Sequence, residues 1–162
     1  MELLKWLTDS QTGELVFTML VSMLPVIELR GGVPFGTALG LSPLAALVAS
    51  VVGNLIPAPF IIVYIRRVFQ WMRRRFPQLD HIVDRLERKA HLKGRRVSRY
   101  KYLGLYLFVA VPLPGTGAWT GSLAAAFLDM PLRKALPSII LGVITAGLIM
   151  TFATGLVVAT IN

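Results

Sequence analysis

The chain has 162 residues, of which 55% are hydrophobic, carries a net charge of +9 and contains no cysteine. The missing cysteine excludes disulfides, thiolate catalysis and cysteine-based metal sites. The mean hydropathy of +0.67 argues against a soluble domain, since such domains are about 45–50% apolar even with glycine counted.

One domain is the expectation at this length. His81 and His91 both fall in the most polar stretch, away from any carboxylate cluster with ligand spacing, so no metal and no cofactor is expected. Met1 to Ser10 places Lys5 between Glu2 and Asp9 and has no positive n-region before an apolar core, so a cleavable signal is not expected there.

Leu15 to Ile27 is uncharged but short, roughly 20 Å of helix against about 30 Å of hydrocarbon. It runs into Glu28-Leu29-Arg30-Gly31-Gly32-Val33-Pro34, where a helix is expected to stop because proline lacks an amide donor and glycine weakens the turn. A second short piece, Phe35 to Leu41, follows. Short piece, break and short piece make a re-entrant hairpin over residues 14–42, whose bare backbone must be buried in protein or line a wet cavity. Leu44 to Ile65 is uncharged and long enough to span the bilayer.

Residues 66–101 hold 13 of the 17 Lys and Arg and only three acids. A basic block between hydrophobic segments is what the positive-inside bias produces, so it reads as a cytoplasmic connector, and no nucleic acid is expected as a partner. Within it, Leu79, Ile82, Val83, Leu86 and Ala90 repeat at helical period over Pro77 to Leu92. That stretch reads either as an amphipathic helix on anionic headgroups, drawn by Arg73, Arg74, Arg75, Arg95 and Arg96, or as a plain solvated connector.

Tyr102 to Val111 then meets Pro112-Leu113-Pro114-Gly115-Thr116-Gly117, and Trp119 to Leu128 follows, giving a second hairpin over 102–131. Ala135 to Ile161 is a second uncharged span, just after Arg133 and Lys134. Gly32-Val33-Pro34-Phe35-Gly36-Thr37 can be laid over Gly117-Ala118-Trp119-Thr120-Gly121-Ser122, after which Pro43 matches Pro131 and Ser50 matches Ser138. Arg66 and Arg67 put the end of the first span in the cytoplasm, while Lys101 and Arg133-Lys134 bracket the second hairpin there. The halves therefore have opposite topology.

The expected fold is an all-α integral membrane protein of the inner (cytoplasmic) membrane, a single membrane domain over 1–162. It is an inverted repeat of two re-entrant hairpins, each followed by one transmembrane helix, with the connector between them. Such repeats with discontinuous helices are a transporter design, with the site where the breaks converge. Two spans and two hairpins are few to enclose a path, so a homodimer is expected.

Glu28 and Arg30 are the leading candidates for chemistry, because ionisable residues inside a membrane are costly and mark function by default. Glu28 can take up a proton as a coupling step in a dry site, and the Arg30 fork suits phosphate or carboxylate. The alternative is that the two only neutralise each other or nearby backbone; on a helix they point in different directions, but in extended backbone beside Gly31 and Gly32 they share a face. Pro114, Gly115, Thr116, Gly117, Trp119 and Thr120 offer backbone amides, hydroxyls and an indole donor. A helix beginning there makes an anion site, or the string is a proline–glycine turn with a packed tryptophan. Asn54, mid-span, reads as interhelical glue before it reads as a ligand.

Glu28-Leu29-Arg30-Gly31-Gly32-Val33-Pro34-Phe35-Gly36 and Pro112-Leu113-Pro114-Gly115-Thr116-Gly117-Ala118-Trp119-Thr120-Gly121 resemble the paired signatures of the small multidrug export protein family. More distantly, the layout resembles the DedA superfamily, whose members are associated with moving polyprenyl phosphate carriers across bacterial membranes. That resemblance implies an acid in the first hairpin, matched by Glu28, and an arginine after the second proline–glycine turn. Here Thr116 and Gly117 stand in its place, leaving Arg30 as the candidate from the first hairpin.

The function expected is a transporter or flippase for an amphiphilic, anionic, lipid-like substrate, coupled to a proton or another cation, with membrane lipids as its surroundings. The alternatives are a proton-coupled exporter of hydrophobic cations and a non-transporting membrane scaffold. No nucleophile–base pair is visible, so an enzyme is not expected.

Overall fold

Capping chemistry sets several of the helix boundaries. In the computed structural model residues 10–75, 100–113 and 115–161 are described, and they form helices with no strand among them. α1 (Gln11–Ser22) begins where the Ser10 hydroxyl accepts the Gly13 amide at 3.0 Å, satisfying one of the donors a helix start leaves open. A turn over residues 23–27, with Pro25 inside it, leads into α2 (Glu28–Leu39). Gly40, at φ 111°, ends α2: its amide and that of Leu41 return to the Thr37 and Gly36 carbonyls, each at 3.1 Å. Ser42 caps α3 (Pro43–Leu55) by accepting the Ala45 amide at 3.3 Å, with Pro43 in the first turn.

Ile56, just ahead of Pro57 and Pro59, marks a bend between α3 and α4 (Pro57–Arg75). Two prolines remove two amide donors from the ladder, so the helix is interrupted there. α5 (Lys101–Ala110) ends in a loop over residues 111–117, and α6 (Ala118–Phe127) follows. Past α6 the backbone turns through Asp129 at φ 54°, and the Met130 amide returns to Ala125 at 2.9 Å. Asp129 thus takes the left-handed position that Gly40 takes after α2. α7 (Leu132–Ile161) is the last helix.

Among the described residues two stretches are long and apolar enough to cross a membrane, Pro43–Ile65 and Leu132–Thr160. α1 and α2, at 12 residues, and α5 and α6, at 10, reach only ~18 Å and ~15 Å, short of the ~30 Å of a hydrocarbon core. α1 and α2 both pack on α3, α5 packs on α7, α6 lies mainly on α4, and α2 and α3 touch α7 to join the two halves.

The core is built from small and medium side chains, among them Leu29, Val109, Ala118, Ala125, Ile139 and Val143. A Cβ on Gly142 would stand 2.7 Å from that of Val109, so α5 and α7 approach as closely as membrane helices with small residues do. The Tyr106 and Thr145 hydroxyls meet across the same contact at 3.2 Å. Leu44, Phe60, Leu148 and Phe152 face outward instead, Phe152 with 72% of its surface exposed. Apolar patches of that extent suit lipid and not water.

The structure moves the first break. The sequence pattern ends a helix at Glu28–Pro34 and begins the second arm at Phe35; the chain instead turns at residues 23–27, and Glu28 opens a helix that runs through Gly31, Gly32 and Pro34. Those residues disfavour a helix by about 1 kcal/mol for each glycine and about 3 for proline. Packing outweighs that cost here. A Cβ on Gly32 would run into the Ser22 hydroxyl, and one on Gly36 would lie 2.9 Å from Thr18, so α2 fits between α1 and α3 only because these positions carry no side chain. The stretch Pro77–Leu92 lies outside the described residues, as does Pro114.

Candidate functional site

The turn after α1 and the loop before α6 meet, and the residues that join them come from both halves. Glu28 is the first residue of α2 and only 4% exposed. Its backbone sits at φ 51°, a conformation in which a non-glycine residue is strained, held by its amide donating to the Leu24 carbonyl at 2.9 Å. From there Oε1 accepts the Trp119 amide at 3.1 Å, and the Ala118 amide is a second donor. These are the opening amides of α6, which have no partner within the helix and form the positive end of its dipole. The Glu28 carboxylate therefore caps a helix from the opposite half of the chain.

Gly117 makes that approach possible. It precedes α6 at φ 138° and ψ −168°, and a Cβ there would overlap the Glu28 carboxylate. Arg30 reaches the same loop from the first turn of α2. Its guanidinium donates to the Leu113 carbonyl and, at 2.6 Å, to the Thr116 hydroxyl. Thr116 also braces the loop internally, lying 2.7 Å from the Val111 carbonyl and accepting the Leu113 amide at 3.2 Å. A third tie runs from the Trp119 indole Nε1 to the Met23 carbonyl at 2.9 Å.

Glu28 and Arg30 feel each other's charge, but both direct their hydrogen bonds to the other half. They do so from the start of a helix and not from extended backbone. Glu28 itself takes the left-handed backbone at that helix start, and two positions that would diverge on a regular helix serve one loop.

The remaining candidates separate. Gly31 packs on Ile27 and Gly32 on Ser22 and Ser50, which makes both close-packing positions. Gly115, at φ 81°, is an exposed turn residue. The Thr120 hydroxyl lies 3.4 Å from the Gly117 carbonyl of its own helix start. Asn54 is wholly buried on α3, and neither polar atom of its side chain has a partner among the described residues.

Sequence reasoning missed the Met23 and Leu113 carbonyls, which carry no side-chain signal. It also missed the buried polar residues Thr18, Ser22, Ser50 and Ser122. A signal for most of these exists: Thr18 and Ser22, like Ser50 and Asn54, are four apart and so share a helix face.

Trp119→Phe is expected to keep the ring in place but leave the Met23 carbonyl without its donor. The cost should be about 1 kcal/mol, read as a lower unfolding midpoint of the purified protein, with the helix content unchanged.

A family model described as "Putative small multi-drug export protein" matches residues 28–149. The matched interval opens on Glu28 and takes in Arg30, the loop over 111–117 and the larger part of α7. Comparison with curated proteins and with solved structures gave no match. The match covers well over half of the chain, and it agrees with the two helices long and apolar enough to cross a bilayer. The protein is a membrane protein, and it belongs to the small multi-drug export protein family.

Proposed function

We propose that the protein is a proton-coupled transporter of an amphiphilic, anionic, lipid-like substrate, with the junction of the two breaks as its gate. The observation that carries this reading is the Glu28 carboxylate seated on the opening amides of α6. A helix start is a ready-made anion site, and here the chain's own acid fills it. Uptake of a proton removes the charge that holds Glu28 there. The freed amides and Arg30 can then receive a phosphate or carboxylate. Arg30 meanwhile rests on a carbonyl and a hydroxyl, neutral acceptors that bind a guanidinium more weakly than an anion does.

Several features support an inverted repeat of two re-entrant hairpins. Four short helices fall short of a bilayer thickness, each second arm closes on a left-handed residue (Gly40, Asp129), and each then leads into a long apolar helix. We place the protein in the inner membrane with residues 66–101 on the cytoplasmic side, and we propose a homodimer to enclose the path. The resemblance to the DedA superfamily supports a polyprenyl phosphate as the substrate. The family description supports a second reading, proton-coupled export of hydrophobic cations, in which Glu28 takes the cation's charge. Neither reading involves catalysis.

Flux in proteoliposomes of a polyprenyl phosphate beside a lipophilic cation tests both, for wild type, Glu28→Gln and Arg30→Ala. Phosphate-lipid movement should be lost in both variants. Cation movement lost in Glu28→Gln alone would move the assignment to drug export. No flux of either compound in the wild type would leave a membrane scaffold.

A further inference from the structure

The first half conceals a line of polar side chains. Thr18, Ser22, Ser50 and Asn54 all have 0% of their surface exposed. Ser22 donates to the Thr18 carbonyl at 2.8 Å. Among the described residues, the Thr18 hydroxyl, the Ser50 hydroxyl and both polar atoms of the Asn54 amide have no partner. An unmet buried polar group is costly, so orphans concentrated in one seam imply an occupant that satisfies them.

Helix register orders the seam. A Cβ on Gly36 would lie 2.9 Å from the Thr18 hydroxyl and 3.1 Å from Ala46. A Cβ on Gly32 would run into the Ser22 hydroxyl and lie 2.7 Å from that of Ser50. One turn back along α2 is thus matched by one turn forward along both α1 and α3. The next step back on α2 is Glu28, and the next step forward on α3 is Asn54. Thr18 and then Ser22 with Ser50 lie one turn apart along the glycine face of α2, and helix register carries the series one turn further, to Asn54 on α3 and to Glu28 on α2.

The chemistry of the seam selects the occupant. It holds no carboxylate, so a divalent cation would lack the charged oxygens it prefers. Levels one turn apart, ~5.4 Å, are too far apart to close on one dehydrated ion. They suit water: two hydrogen bonds of ~2.8 Å, end to end, bridge oxygens about one turn apart. Each hydroxyl can both donate and accept, and buried waters characteristically settle on otherwise unsatisfied groups.

We propose that Thr18, Ser22, Ser50 and Asn54 hold a single file of buried water that carries protons to Glu28 from the side of the membrane where α2 ends and α3 begins. The inference rests on the reading of Glu28 as the proton-handling group. Glu14, one turn before Thr18 on the same face of α1 and half-buried, stands at the mouth of the file. Arg30 is the charged neighbour whose field reaches Glu28. α3 and α6 carry no ionisable residue, and Arg133 and Lys134 of α7 lie in that helix's first turn.

Infrared hydrogen–deuterium exchange on protein reconstituted in lipid vesicles tests the file without a substrate. The carbonyl stretch of protonated Glu28, assigned by its loss in Glu28→Gln, shifts as the carboxyl exchanges with heavy water. Thr18→Val and Asn54→Leu put apolar groups of similar size in the seam. Each should slow the exchange about tenfold or more, equivalent to ~1.4 kcal/mol on the barrier, without changing the intensity of the band. Thr18→Ser keeps a hydroxyl and should exchange at the wild-type rate. Wild-type exchange in both Thr18→Val and Asn54→Leu would overturn the file and leave the role of Glu28 intact. Equal slowing in Thr18→Ser and Thr18→Val would trace the effect to packing and also overturn it. A Glu28 band missing from the wild type at every pH would remove the proton acceptor, and both readings with it.

Discussion

Gly117→Ala is expected to cost the folded protein roughly 3–5 kcal/mol, at the upper end of what single substitutions do, and to abolish transport. Two separate penalties combine. The backbone at φ 138° and ψ −168° lies in a region that only glycine adopts readily, worth about 1–3 kcal/mol to any other residue. The added methyl also overlaps the Glu28 carboxylate, which must then leave the amides of Ala118 and Trp119 while still buried. A buried acceptor that loses its donors costs a further ~1–3 kcal/mol, and more when charged.

Gly115→Ala separates the two terms. Gly115 also has a positive φ, 81°, but among the described residues nothing lies within 4 Å of a Cβ built there. It should cost only the backbone penalty, about 1–2 kcal/mol. Chemical unfolding of both variants, repeated in a Glu28→Ala background, completes a double-mutant cycle. The Gly117 penalty should fall toward the Gly115 value once the carboxylate is gone. Equal costs for the two glycines in the native background would mean that Glu28 does not rest on the start of α6.

How legible this arrangement is in the chain depends on the distance over which each part is decided. The long apolar helices are decided locally, by runs of uncharged residues bounded by Arg66 and by Arg133 and Lys134. The interruption before α6 is local too, since Pro112, Gly115 and Gly117 fall together and no neighbouring helix rescues them. The first interruption is not. Gly31, Gly32 and Pro34 look like a helix stop by propensity, yet the Ser22 and Ser50 hydroxyls pack where a side chain on Gly32 would be, and the turn falls at Pro25 instead. Burial of Glu28 and Arg30 follows from their place in an apolar stretch. Their partners, Trp119, Leu113 and Thr116, lie 83 to 91 residues away, and two of those contacts are backbone groups that no residue type announces.

Arg30→Ala should be nearly as damaging as Gly117→Ala, and Arg30→Lys should recover little of the loss. Arg30 makes two charge-assisted hydrogen bonds, to the Leu113 carbonyl and the Thr116 hydroxyl, each worth about 1.5–3 kcal/mol when the donor is ionised. Partial exposure of the side chain puts the expected total near the lower bound, roughly 3 kcal/mol. A planar fork holds two acceptors at once, whereas an ammonium on a flexible stem does so poorly. Thr116→Val isolates one arm of the fork, and its cycle with Arg30→Ala should return a coupling of about 1–3 kcal/mol. The same comparison bears on the gate. If the fork must leave Thr116 and Leu113 to bind an anion, Thr116→Val should weaken the closed arrangement yet preserve phosphate-lipid flux. If Arg30 only braces the loop, Thr116→Val should lower stability and flux together, and Arg30→Lys should then restore flux in proportion to the stability it restores.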